Sequence, residues 1–189
     1  IRRFDESFEP QGGLKLLQGN LGHAVVKISS VQEAERYIKA PAKVFHSQSE
    51  IKAAFAAGQF DHDCVVVLRF QGPAANGMPE LHGLAPIFEA VRSFGSKIAL
   101  LTDGRLSGAS GSILSAIHLS PEAASKGPIS FIQDGDIITI DSNQGIVSIQ
   151  ADFTGREPAI GPTFEPGLGR ELFSVFRQNV SSSEFGGNS

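Results

Sequence analysis

With 189 residues, 41% of them hydrophobic, a net charge of −4 and a pI near 5.7, the chain can bury one core and lacks an electrostatic footprint for nucleic acid or an anionic membrane surface. Its single cysteine, Cys64, excludes an internal disulfide and leaves too few thiolates for an iron–sulfur cluster or a structural zinc held by this chain alone. No apolar run reaches the roughly 20 residues that span a bilayer, and the start lacks a signal peptide's charged-then-apolar layout, so a cytoplasmic setting is expected.

The chain opens IRRFDES without an initiator methionine and is expected to be a piece of a longer protein. Residues 1–20, rich in Gly, Pro and charge, read as a linker with little periodicity. Residues 24–28, AVVKI, form a first strand. A polar helical turn is expected over residues 32–39, after which Pro41 restarts the chain and residues 42–45 make a short strand. Ser47 and Glu50 then form a capping box, Ile51, Ala54 and Phe55 share a helix face, and Gly58 stands where a helix would stop.

Residues 64–68, CVVVL, are apolar without alternation, the pattern of a strand covered on both faces and therefore central. Residues 86–94 read as a helix with proline in its first turn, and residues 98–101 return as a second wholly apolar strand. Strand, helix, strand at this spacing implies a right-handed parallel crossover. Further on, residues 113–119 are expected to be extended and Ser120, Pro121 and Glu122 to open a short helix closed by Gly127. Residues 129–132, 137–140 and 146–149 read as three short strands of an antiparallel meander with turns at 134–136 and 143–145. Residues 151–168 look irregular, residues 171–176 suit a terminal helix, and residues 179–189 read as a flexible tail. Residues 21–178 are thus one mixed α/β domain, a barrel-like sheet of parallel crossover plus meander flanked by helices.

Two loops could carry chemistry. Residues 70–82, FQGPAANGMPELH, follow the central strand and end with Glu80 and His82; residues 103–112, DGRLSGASGS, follow the next strand and carry Arg105, Ser107 and Ser110 among glycines. Ligands in α/β sheets bind at the carboxyl ends of strands, so neighbouring parallel strands would open both loops on one edge and bring together a carboxylate, an imidazole, a guanidinium and two hydroxyls. Neither loop is a P-loop or a G-x-S-x-G elbow. His82 and His118 suit loop caps or the barrel rim as well as substrate contact, Arg105 suits an ion pair with Asp103 or another carboxylate as well as an anion, and Cys64 is most simply core. The sequon at Asn179, Val180 and Ser181 reads as accidental.

Together FQGPAANGMPELH, LLTDGRLSGASG and AIHLSPEAASKGPISFIQDGDIITID, with the GGLKLLQGNLGHAVVKIS opening and the GRELFSVFR close, resemble the C-terminal domain of the dihydroxy-acid/6-phosphogluconate dehydratase family. The Ala-Asn before GMPELH and the Ser-Gly-Ala-Ser-Gly form lie nearer its 6-phosphogluconate branch. The resemblance implies a swivelling, substrate-closing domain of a hydro-lyase that takes water from 6-phosphogluconate to give 2-keto-3-deoxy-6-phosphogluconate in the Entner–Doudoroff route. It implies an iron–sulfur cluster, of the 4Fe-4S type, with every ligand outside this chain, and a magnesium ion to which Glu80 contributes from this domain. Ser107 is then the base that removes the C2 proton. The N-terminal domain of the same enzyme would be the partner, in a homodimer of full-length chains, and the isolated domain would be inactive. A serine base needs nearby positive charge, which Arg105 can supply; Arg105 can also grip a carboxylate or phosphate, and Ser110 an anionic oxygen. Ser112 stands where close relatives are expected to carry a lysine. Another sugar-acid or dihydroxy-acid dehydratase, or a non-catalytic binding module of the same fold, are the alternatives.

Overall fold

In the computed structural model, which describes residues 3, 6, 12–29, 31–107, 112–163 and 169–187, the strands are β1 (Leu14–Gly19), β2 (Gly22–Lys27), β3 (Tyr37–Phe45), β4 (Cys64–Leu68), β5 (Ile98–Thr102), β6 (Ser115–Ser120), β7 (Ile137–Asp141) and β8 (Ile146–Gln150). They close into a barrel in the order β1-β2-β6-β5-β4-β3-β7-β8. Strands β3 to β6 run parallel to one another, the pairs β1–β2, β2–β6, β3–β7 and β7–β8 are antiparallel, and one parallel pairing, Gln18 with Ile146, closes the ring. The helices are α1 (Gln48–Ala56), α2 (Pro73–Asn76), α3 (Ala85–Ser93) and α4 (Ser174–Asn179).

Burial explains the unbroken apolar runs. In β4, Val65 and Val67 point into the barrel with Leu17, Val26, Ala99, Leu101, Ile138 and Ile140. Their neighbours Cys64, Val66 and Leu68 point outward, where Ile51 and Ala54 of α1 and Phe88 and Val91 of α3 cover them with Leu100 of β5. Both faces are dry, so no position in β4 has reason to be polar. The capping box forms with a shift: the Ser47 hydroxyl oxygen accepts the Glu50 N–H at 3.2 Å, while the Glu50 carboxylate accepts the N–H of His46 rather than that of Ser47.

Several readings of the sequence change. The helical turn expected over residues 32–39 is a 3-10 turn at Glu33–Glu35 only, and β3 already begins at Tyr37. Residues 1–20 read as linker, yet residues 14–19 are β1; only Leu17 of that strand is buried, so its apolar residues do not alternate against a core. Pro41 lies inside β3 rather than before it. It stands where the strand changes partner, from antiparallel β7 (Tyr37 to Pro41) to parallel β4 (Ala42 to Phe45), so its missing N–H falls at the break between two ladders. The first meander strand is instead a 3-10 helix, Pro128–Phe131, which buries Ile129, while Ile132, the extended residue just past its end, is buried three residues on. Finally, the tail read as flexible carries a 3-10 helix, Ser183–Phe185, docked through the Ser183 hydroxyl on the His118 carbonyl (3.2 Å) and Glu184 on His23 (2.7 Å).

Candidate active site

Because β3, β4 and β5 run in one direction, the loops that leave them emerge on one edge, and the two loops marked by the sequence meet there. Glu80 and Arg105 pair as an isolated parallel bridge, prolonging the β4–β5 pairing into the loops. The Glu80 Oε1 atom accepts two backbone N–H groups, Ser107 at 2.9 Å and His82 at 3.0 Å. Its other oxygen lies 3.7 Å from a terminal nitrogen of Arg105, whose Nε donates to the Met78 carbonyl at 3.0 Å. Arg105 thus pairs with Glu80 and not with Asp103. With the Arg105 side chain 53% and the Glu80 side chain 39% exposed, both charges remain open to a ligand.

The loops approach as closely as their residues allow. A Cβ on Gly104 would lie 2.6 Å from that of Gln71, so a larger residue there would push the loops apart, and a Cβ on Gly72 would lie 2.4 Å from a Glu122 carboxylate oxygen and displace that side chain. Beneath them Asp103 is fully buried and accepts N–H groups from Phe70 (3.1 Å), Gln71 (2.9 Å) and Ala123 (3.0 Å). Burial pushes its carboxyl up to about 6, against the pull of those hydrogen bonds. Arg69, 8% exposed, donates through one terminal nitrogen to the carbonyls of Ile129, Ser130 and Ile132 and through its Nε and other terminal nitrogen to Nε2 of His46. Guanidinium can only donate, so His46 accepts at Nε2 as a neutral ring; burial, then the Arg69 charge, hold its pKa below the usual histidine value.

Of the sequence candidates, Glu80, Arg105 and Ser107 come together, while Ser110 lies outside the described residues. His118 is half-buried at the rim, its N–H on the Gly104 carbonyl at 2.9 Å, and burial, then the Arg105 charge, lowers its pKa. His82 is exposed, touching Glu80 through its backbone. Ser112 turns onto α3, its hydroxyl donating to Glu89 at 3.0 Å. Sequence reasoning missed Asp103, Glu122 and Arg69 as supports. Each is a charged residue next to the end of an apolar strand or a Pro, a position that reads as loop although it is buried here.

No cluster of three or more His, Cys, Asp or Glu among the described residues could hold a metal. Cys64 is buried, with burial pushing its thiol up to about 11, so this chain does not fit an iron–sulfur cluster. Glu80 is by its chemistry an oxygen donor for a hard divalent cation: one of its oxygens carries both N–H bonds and the other, on a side chain 39% exposed, lies 3.7 Å from the Arg105 guanidinium, so a cation there would need further ligands and displacement of that charge. No helix among the described residues is long and apolar enough to cross a membrane.

The sequence model of the family described as Dihydroxy-acid/6-phosphogluconate dehydratase C-terminal matches residues 1–187. Among curated proteins, the phosphogluconate dehydratase of Rhizobium meliloti (strain 1021) is 47% identical over 189 residues, covering 97% of this chain and 31% of the relative. That of Escherichia coli (strain K12) is 48% identical over 191 residues, covering 98% and 32%. The dihydroxy-acid dehydratase of Sulfurisphaera tokodaii is 36% identical over 193 residues, covering 98% and 33%. The chain therefore spans about a third of the length of the curated relatives it matches. On a match across nearly its whole length, the chain belongs to the dihydroxy-acid/6-phosphogluconate dehydratase family.

Proposed function

We propose that the chain is the substrate-closing C-terminal domain of a hydro-lyase that converts 6-phosphogluconate to 2-keto-3-deoxy-6-phosphogluconate, and that it is inactive alone. The observation that carries this reading is the meeting of Glu80, Arg105 and Ser107 on one strand edge, in a chain 47–48% identical to proteins named phosphogluconate dehydratase. In the reaction the C2–H bond and the C3–hydroxyl bond break, the C2 proton held on the base is returned to the departing hydroxide so that water leaves, and the resulting enol ketonises. Ser107 takes the C2 proton on its Oγ. A serine hydroxyl is a weak base in water, so its alkoxide must be favoured by adjacent positive charge and exclusion of bulk solvent when the domain closes. Arg105, two residues away and anchored on Met78, supplies that charge or holds the substrate carboxylate in its planar fork. Ser110 offers a second hydroxyl to an anionic oxygen.

Glu80 would contribute one oxygen to Mg²⁺, which when bound supplies positive charge for the substrate's oxygens. The iron–sulfur cluster expected for the family has no ligand here, so the upstream part of the full-length protein would carry it, in a cytoplasmic homodimer. Ser112 favours a second reading. A neutral hydroxyl bonded to Glu89, where a lysine was expected, gives a phosphate no charge, which favours an unphosphorylated sugar acid.

Anaerobically prepared full-length enzyme, assayed for dehydration of 6-phosphogluconate beside gluconate and a branched dihydroxy acid, separates the two. Turnover confined to 6-phosphogluconate supports the first reading; turnover of an unphosphorylated acid alone overturns it.

A further inference from the structure

Asp103 carries a charge into the interior with no basic side chain bonded to it among the described contacts. Its three hydrogen bonds are to backbone N–H groups, and they join stretches far apart in sequence: Phe70 and Gln71, which leave β4, and Ala123, which follows β6. Phe70 adopts a left-handed conformation, φ +64°, unusual for a bulky residue, and it presents two successive N–H groups to one carboxylate. Glu122, 4% exposed, holds the same loop at another point by accepting the N–H groups of Ala74 and Ala75 at 3.0 and 3.1 Å. The two carboxylates differ in what they connect. Glu122 ties the start of α2 to residues 121–123. Asp103 ties the loop that leads to Glu80 to the end of β5, four residues before Ser107.

We propose that Asp103 is a positioning residue: by holding the Phe70 and Gln71 N–H groups it fixes the Glu80 loop against the Ser107 loop, and so sets the separation of the Glu80 carboxylate and the Ser107 hydroxyl during elimination. A buried carboxylate is a costly way to stabilise a fold, and apolar residues could pack this space more favourably. A tether that must hold two loops in fixed register gives the cost a purpose. The Glu80 Oε1 bond to the Ser107 N–H, with the Arg105 contacts to Glu80 and Met78, carries a displacement of one loop to the other. The inference rests on the hydro-lyase reading of the site but not on the identity of the acid.

The test uses full-length holoenzyme as wild type, Asp103→Asn and Glu122→Gln, with kcat, KM, Tm and amide hydrogen exchange at residues 105–107. The amide nitrogen of Asp103→Asn must face at least one N–H donor, so the tether slackens while side-chain volume is kept. The expected result is a kcat reduced about 30-fold or more with KM within about threefold, since misplacement on the order of an ångström can cost about 100-fold, together with faster exchange at residues 105–107. Glu122→Gln is expected to lower Tm yet keep kcat within about fivefold and leave that exchange unchanged. Should Asp103→Asn not accumulate as holoenzyme, Asp103→Glu, which moves the charge by one methylene, is held to the same criteria. If the two sites lose kcat in proportion to Tm, or if exchange at residues 105–107 is unmoved in the Asp103 variant, the proposal is overturned. Turnover of a different acid by wild type overturns the substrate and leaves this comparison to be run on that acid; were no acid turned over, the exchange result alone would decide.

Discussion

The parallel half of the barrel, β3 to β6, and the antiparallel half, β7, β8, β1 and β2, use buried carboxylates for opposite purposes. Asp141, at the end of β7, accepts the N–H groups of Asn143 and Gln144, two and three residues ahead, and holds only its own hairpin turn. Asp103, at the end of β5, accepts N–H groups 33, 32 and 20 residues away. The difference follows from connectivity. A hairpin consumes its loop in reversing the chain, whereas a parallel crossover returns the chain through a helix and leaves every strand-to-helix loop on the same edge. Chemistry collects where loops collect, and there a buried carboxylate joins distant loops; in the antiparallel half the comparable long-range tie, Asn20 to the Ile149 backbone, is made by a neutral amide.

Substitutions can break or sharpen that contrast. The largest effect on stability is expected in the two-sided parallel strands, where Leu100→Ala should cost about 2–5 kcal/mol in denaturant unfolding. Leu16→Ala in β1, half-exposed, should stay within about 0.5 kcal/mol, and a matching loss there would erase the distinction between the halves. On activity, Glu80→Gln in the full-length enzyme should reduce kcat/KM by about 100-fold or more and weaken magnesium dependence; an unchanged magnesium titration would remove Glu80 as a ligand. Smaller still, Ser47→Ala should cost about 1 kcal/mol through loss of the α1 cap, read as a drop in Tm.

The smallest effect is in pH. Burial raises the Asp103 pKa to about 6, above its ordinary value, so its contribution to stability is fully present below the normal carboxylate range and diminishes as pH rises through about 6. Gaining that proton removes acceptor capacity from the tether. Lowering pH from 7 towards 5.5 should therefore cut kcat by about half near pH 6 without a loss of Tm through this group, whose charged neighbours are Glu122 and Arg69. An acid limb of the same size in Asp103→Asn would assign it to another group.

Legibility in the sequence divides along the same line. β4 and β5 stood out because strands covered on both faces leave an unbroken apolar run, and α1 because Ser47 and Glu50 cap it locally. The pairing of the two loops followed from parallel strands, and the Glu80 contact with Ser107 bears it out. β1 was hidden because Leu14 and Leu16 are exposed and only Leu17 meets the core, so hydrophobicity and burial do not coincide. The Pro128–Phe131 helix was hidden because Ile129 and Ile132 suit a strand by composition and a 3-10 turn by spacing. The tethering roles of Asp103 and Glu122 are not legible in the sequence because their partners are backbone N–H groups, which no side-chain pattern records.

The central claim is that Ser107 removes the substrate proton at this edge, and its most direct measurement is turnover by full-length Ser107→Ala beside wild type, with iron content and substrate binding determined in both. The account predicts that the variant keeps its iron and binds substrate while kcat falls by roughly 1,000-fold or more. Near-normal turnover by a variant that binds substrate equally well would contradict it and send the proton to another residue.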